Sequence, residues 1–269
     1  MEILIGFVIA LSVGLTGIGG GSFTTPALVL ISGIPGAEAV GTALIFSTAV
    51  RLVAAPFYLA SRHINFRYLF LMLLGAVPGL LAGTYILLTM NTKHIAPFVL
   101  FIIGLMLVAS AALSFQQRRG KIESRPDRAP WMPWLTLPIG LETGFSSAGS
   151  GALGTLLLLN FSNMQPAQVV GTDLVFGILL AGVGSIFHFS FGAINFLALK
   201  HLLLGGIPGV LAGCVLAPRV PGRRLRPLIA VIAMLVGLQI MWSGFRLWHG
   251  PAASVRTTGQ PMVSSGKGP

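Results

Sequence analysis

Charge is what this sequence has least of. Only 9% of its 269 residues are Asp, Glu, Lys or Arg, and only 6 are acidic. Soluble domains carry roughly a quarter charged residues, so a water-facing globular surface is excluded. The single cysteine, Cys214, excludes an internal disulfide and any cysteine-based zinc spacing, and it reads as a small packing residue. Neither a G-x-x-x-x-G-K-[S/T] loop nor an H-E-x-x-H helix occurs, which argues against a P-loop nucleotide site and a zinc protease. No cofactor or metal is called for. No Lys or Arg precedes Arg51, so the start lacks the positive region of a secretory signal. Residues 3–31 are expected to be retained membrane structure.

What is present is apolar sequence, 54% of the chain, with 35 glycines. A membrane span needs about 20 mostly apolar residues. Eight stretches qualify: 3–31, 36–60, 66–90, 95–115, 131–160, 166–191, 197–217 and 225–248. The first and fifth exceed a simple span and are interrupted by glycine. The expected fold is an all-α integral membrane protein in the lipid bilayer. The net charge of +11 collects in short runs at 116–128 and 219–226, which reads as a determinant of membrane orientation rather than a nucleic-acid surface.

The most informative pattern is an internal repeat at a constant offset of 130, since Gly14 aligns with Gly144. Gly41-Thr42 then falls on Gly171-Thr172, Ile64-Asn65-Phe66 on Ile194-Asn195-Phe196, and Gly75, Pro78, Gly79 and Gly83 on Gly205, Pro208, Gly209 and Gly213. About a third of the positions between 14–86 and 144–216 are identical, without a gap. Two-fold repeats are a usual build of secondary transporters. The expected organisation is a first membrane repeat over 1–115, a cytoplasmic linker over 116–130, a second repeat over 131–249 and a disordered tail over 250–269.

Positive charge swaps between equivalent loops. Arg62 and Arg67 lie in one loop whose equivalent has none, whereas Lys93 is matched by Arg223 and Arg224, with Arg219 and Arg226 nearby. With basic loops cytoplasmic, the halves are expected to be inserted in opposite senses, as an inverted repeat; the rival scheme, eight plain spans with parallel halves, puts the 219–226 arginines outside. Inversion demands an odd number of crossings per half. Each half satisfies it when its first segment is a glycine-broken, re-entrant hairpin.

These breaks are the first candidate site. Gly19, Gly20 and Gly21 in succession weaken a helix, and irregular backbone at membrane depth persists only where it is buried in protein or lines a cavity. A half-helix beginning there points free N–H groups at an anion. Ser22, Thr24 and Thr25 follow, and Ser147, Ser150 and Gly151 stand in the second copy. Close helix packing through small residues explains one such cluster equally well, but two in matching positions favour a site. Thr42 and Thr172 offer hydroxyls to a ligand oxygen or back to their own helices. Arg51 lies inside an apolar segment and needs an anionic partner, either a substrate or Asp173. Asp173 is a carboxylate in an apolar segment, a functional residue by default, and a candidate proton carrier. His188 and His201 read as structural groups near membrane edges, Asn65 and Asn195 as helix caps, and Glu38 and Glu142 as interface residues.

The stretch Gly17–Leu28, GIGGGSFTTPAL, followed by Gly41-Thr42, resembles the signature of the sulfite exporter TauE/SafE family. The resemblance covers roughly residues 5–248 and includes the PGxLAG ends at 78–83 and 208–213. It implies a multi-pass exporter in a prokaryotic inner membrane for small sulfur-containing anions such as sulfite, sulfonates or sulfoacetate. The second copy departs from the signature at Ser150, which replaces a glycine, and at Leu156, which stands in place of Pro26. Protons are the candidate coupling ion. Import, or passage through a channel, is the alternative. An intramembrane hydrolase using Ser150 and His188 is disfavoured, because Ser150 matches Gly20 and so marks backbone geometry rather than a nucleophile. Oligomeric state is not legible.

Overall fold

A computed structural model describes residues 1–16, 21–59, 64–89, 129–147, 152–164 and 166–217, with isolated helical positions between 101 and 108 and between 234 and 245. The expected spans at 95–115 and 225–248, the linker up to residue 128 and the tail lie outside the described residues. Among those residues the chain is all-helical: α1 (Glu2–Thr16), α2 (Gly21–Leu30), α3 (Gly36–Leu59), α4 (Phe66–Thr89), α5 (Met132–Ser146), α6 (Ala152–Phe161), α7 (Pro166–Ser190) and α8 (Phe196–Leu216). A single 3₁₀ turn, Ala129–Trp131, leads into α5. Among the described residues, four helices are long and apolar enough to cross a membrane: α3, α4, α7 from Gln168, and α8. Their outward faces are greasy, with Phe66, Phe70, Leu74, Ile186, Phe196 and Leu204 all exposed. Such a surface suits hydrocarbon and would be a liability in water.

The long first and fifth apolar stretches are each divided at their glycines. α1 has 15 residues and α2 has 10, about 22 Å and 15 Å of helix. Neither alone spans a hydrocarbon layer of about 30 Å. α5 and α6 repeat these lengths of 15 and 10 residues.

Glycines fix the closest helix pairs. A Cβ added at Gly205, Gly209 or Gly213 of α8 would collide with the carbonyl oxygens of Ile3, Phe7 and Leu11 of α1. A Cβ added at Gly75, Gly79 or Gly83 of α4 would collide with those of Pro133, Leu137 and Leu141 of α5. Spacing by four puts each glycine set on one helix face, and small residues there let backbones touch without side chains between them. Residue numbers rise together in both sets, so α1 runs parallel to α8 and α4 parallel to α5. The fourth helix of each half thus packs on the first helix of the other half.

The central pair is α3 with α7, and these are antiparallel. Thr42, near the start of α3, lies beside Asn195, just past the end of α7, while Asn65, just past the end of α3, lies beside Thr172, near the start of α7. α8 turns back from α7 through residues 191–195, where Gly192 takes a positive φ of 68°. Hence α1 and α3 point the same way, and α2 must run back between them. Tyr58 Oη, near the end of α3, donates to the Gly14 carbonyl near the end of α1 at 2.6 Å, in keeping with that direction. The apolar core divides accordingly. One cluster draws on α1, α2, α3 and α8, and another on α4, α5, α6 and α7.

Candidate functional site

The described borders of the two glycine breaks meet, Gly21 and Thr25 on one side and Ser147 on the other. α5 ends at Ser146, and Ser147 adopts a left-handed conformation, φ 60°, with its N–H bonded to the Thr143 carbonyl at 2.9 Å. A positive φ is uncommon for a residue with a side chain and marks a position that its surroundings hold in place. Those surroundings are the other half's break. Ser147 Oγ lies 3.0 Å from the Gly21 carbonyl oxygen and 2.7 Å from Thr25 Oγ1. A Cβ on Gly21 would strike the Ser147 carbonyl. Thr24, Thr25 and Ser147 are all buried. Ser22 lies in the first turn of α2; Gly19, Gly20, Ser150 and Gly151 lie outside the described residues.

The repeat's threonines have a definite role. Thr42 Oγ1 accepts the backbone N–H of Asn195 and Thr172 Oγ1 accepts that of Asn65, each at 3.0 Å. Asn195 Oδ1 in turn accepts the Ala198 N–H at 3.0 Å, and Asn65 Oδ1 accepts the Tyr68 N–H at 3.3 Å. Both asparagines therefore cap the following helix, as the sequence suggests, and both threonines tie that cap to the opposite half. Each threonine hydroxyl retains its own proton for donation to a further acceptor.

The ionisable groups lie off the repeat. Arg51 on α3 is 2% exposed, and Asp173 on α7 is 6% exposed. The two are within electrostatic reach of each other, joining two residues 122 positions apart in sequence. Thr155 of α6 donates to Asp173 Oδ2 at 2.6 Å. Asp173 Oδ1 packs against Gly154 and has no hydrogen-bond partner among the described residues. Thr155 is the repeat mate of Thr25, so equivalent hydroxyls serve the opposite break in one half and the buried acid in the other.

His188, in the last turn of α7, is fully buried, its ring against Gly41 and beside the Gly144 backbone, and neither ring nitrogen makes a well-formed hydrogen bond among the described residues. One reading from sequence needs correction: Glu142 is not an interface residue. It is 2% exposed, with Oε2 lacking a partner among the described residues. It lies ten residues into α5, and because α5 enters the helix packing instead of skirting it, those residues carry the carboxyl inward. The available signal was an acid deep inside an apolar stretch. His201 Nδ1 lies 2.8 Å from Glu2 Oε2 at the start of α1. Among the described residues no group of three His, Cys, Asp or Glu could hold a metal.

Buried hydroxyls at two touching helix breaks, with a guanidinium and a carboxylate on adjacent antiparallel spans, define a membrane protein that handles a small polar solute. The family model for the sulfite exporter TauE/SafE matches residues 2–240, and the chain belongs to that family. It is similar to the probable membrane transporter protein YjnA of Bacillus subtilis, 32% identical over 89% of this chain and 98% of that protein. A probable membrane transporter protein of Haemophilus influenzae is 25% identical over 88% of this chain and 92% of its own length. A second Bacillus subtilis protein, the probable membrane transporter protein YunE, is 33% identical over 42% of each chain. No solved structure matches the chain significantly. The chain is a multi-pass membrane transporter, not an enzyme.

Proposed function

We propose that this transporter exports a small sulfur-containing oxyanion, sulfite or an organosulfonate, across the inner membrane of a prokaryotic cell. The observation that carries this reading is the buried pair of Arg51 and Asp173 on antiparallel spans. A guanidinium in an apolar span is expensive unless it meets an anion, and its planar fork suits an oxyanion. Arg51 is the anion's charge partner. The hydroxyls of Ser22, Thr24, Thr25, Thr42, Ser147, Ser150 and Thr172 and the backbone of Gly19–Gly21 and Gly151 supply the remaining donors. Asp173 carries the coupled proton.

The alternating-access machine is an inverted repeat of two re-entrant hairpins, α1–α2 and α5–α6, entering from opposite sides. The antiparallel course of the equivalent helices α3 and α7 supports this, as does the swap of basic loops. Export does not demand coupling, because a negative interior favours anion efflux by about 2.3 kcal/mol per charge per 100 mV.

The test is efflux from proteoliposomes loaded with labelled sulfite, sulfoacetate or a carboxylate control. Saturable efflux of the sulfur oxyanions, at least tenfold reduced in Arg51→Ala, is expected. Equal efflux of all three solutes, or an unaffected Arg51→Ala variant, overturns the reading.

A further inference from the structure

Glu142 is the buried acid with no part in the mechanism above. Its repeat mate is Ser12, which bonds back to the Val8 carbonyl of its own helix at 3.0 Å. The shared fold therefore does not require an acid here. α5 packs chiefly on α4 and also touches α2, α3, α6 and α7. The titratable or charged groups on those elements are Arg67, Tyr68 and Tyr85 on α4, Glu38, Arg51 and Tyr58 on α3, and Asp173 and His188 on α7, with none on α2 or α6. Arg67 and Tyr85 are exposed. Glu142 forms no ion pair with any of them among the described residues, and its carboxyl is buried. An ionised carboxylate held this way, 2% exposed and with one oxygen unpartnered among the described residues, is strongly disfavoured. A neutral carboxylic acid avoids most of that cost.

We propose that Glu142 is a second proton-binding carboxyl of the transport cycle, on the same half of the chain as Asp173. Its placement gives it a means of release. Glu142 sits five residues before Ser147, on the helix whose end is bonded to the opposite break. It is flanked by Leu141 and Gly144, whose backbones lie against Gly79, Gly83 and Thr84 of α4. Any cycle that parts the two breaks moves α5 along α4 and brings water to this carboxyl. The O–H bond then breaks, the proton passes to water, and a carboxylate is left. Return of α5 requires a proton to rebind from the side then open.

The cycle part of this inference rests on the transporter reading; the protonated carboxyl does not. The first measurement is therefore infrared difference spectroscopy on the purified full-length protein at neutral pH, in light and heavy water and without any substrate. A deuterium-sensitive carboxylic-acid carbonyl band is expected in the wild type. It should persist in Asp173→Asn, which removes the other buried acid, and be lost when Glu142→Gln is added to that variant. A band that survives the double substitution in folded protein, or no such band in Asp173→Asn, overturns the proposal. Should the glutamine variant fail to fold, Glu142→Ser installs the residue of the repeat mate and is read the same way. The second measurement is efflux against pH, where Glu142→Gln should flatten the profile while leaving binding of the transported anion within about twofold. An unchanged profile removes Glu142 from the cycle even where the band assignment holds. Absence of any sulfur-oxyanion flux in the wild type counts against the substrate and leaves the infrared result standing.

Discussion

The two halves of this chain share a plan of packing and part company in what they bury. Glycines, threonines and asparagines match across the repeat and make matching contacts: Gly79 with Leu137 and Gly209 with Phe7, Thr172 with Asn65 and Thr42 with Asn195. The buried ionisable groups do not match. Arg51 stands opposite Ala181, Asp173 opposite Ala43, Glu142 opposite Ser12 and His188 opposite Tyr58. The single buried cation of the described residues is in the first half, and both buried acids are in the second. Shape thus comes from where the copies agree, and chemistry from where they differ. An oligomer of two identical halves would place every charge twice, like beside like across the pseudo-axis. A diverged repeat allows a cation and an acid to be buried within electrostatic reach of each other on equivalent helices.

The sharpest way to break this comparison is to remove one charge. Arg51→Ala leaves Asp173 without the guanidinium, and breaking a buried pair by deleting one partner costs about 3–5 kcal/mol. Arg51→Ala with Asp173→Asn should recover much of that loss in a thermal-stability assay while remaining inactive in efflux. Additive losses in the double variant would show that the two residues do not interact. Next in size are the shared contacts. Gly79→Val and Gly209→Val each drive a side chain into a neighbouring backbone, at about 3 kcal/mol, the upper range for overpacking. Nearly equal losses of folded protein are expected from the two; tolerance of one alone would mean that the halves pack differently. Thr42→Val and Thr172→Val come third. Each orphans a part-buried asparagine N–H at about 2 kcal/mol.

Much of this arrangement was legible in the sequence, and the reasons for the remainder are physical. Glycines at every fourth position announced a helix face made for close contact, and the offset of 130 announced two such faces. Spacing cannot name the partner, however. That α4 lies on α5 and α8 on α1 depends on how each chain half folds back, which local pattern does not encode. Asp173 and Arg51 stood out because a charge in an apolar run is costly wherever the run goes. Their proximity follows from the antiparallel crossing of α3 and α7, a tertiary fact. Glu142 was misread for the same reason in reverse. It was read as an interface residue, but α5 packs along α4 and its tenth helical position faces the packed interior, where the acid is 2% exposed. The role of Thr42 and Thr172 in holding the opposite half's asparagine was likewise out of reach, since each hydroxyl had a ligand and its own helix as equally good acceptors.

The smallest expected effect tests the shared plan most finely. Asn65 and Asn195 each use two groups: the backbone N–H reaches a threonine of the other half, and the side-chain oxygen caps the next helix. Replacing either by Ala removes the cap and keeps the backbone bond, so the expected cost is about 1 kcal/mol. The Asn195 cap is shorter, 3.0 Å against 3.3 Å, so Asn195→Ala should lower the melting temperature at least as much as Asn65→Ala. Neither should alter the pH dependence of efflux, because neither side chain faces a buried charge in the described contacts. A change in pH dependence from either variant would connect the caps to the proton path and end the separation of shape from chemistry. A loss well above that of the threonine variants would make the side-chain cap, rather than the backbone bond between halves, the stronger tie.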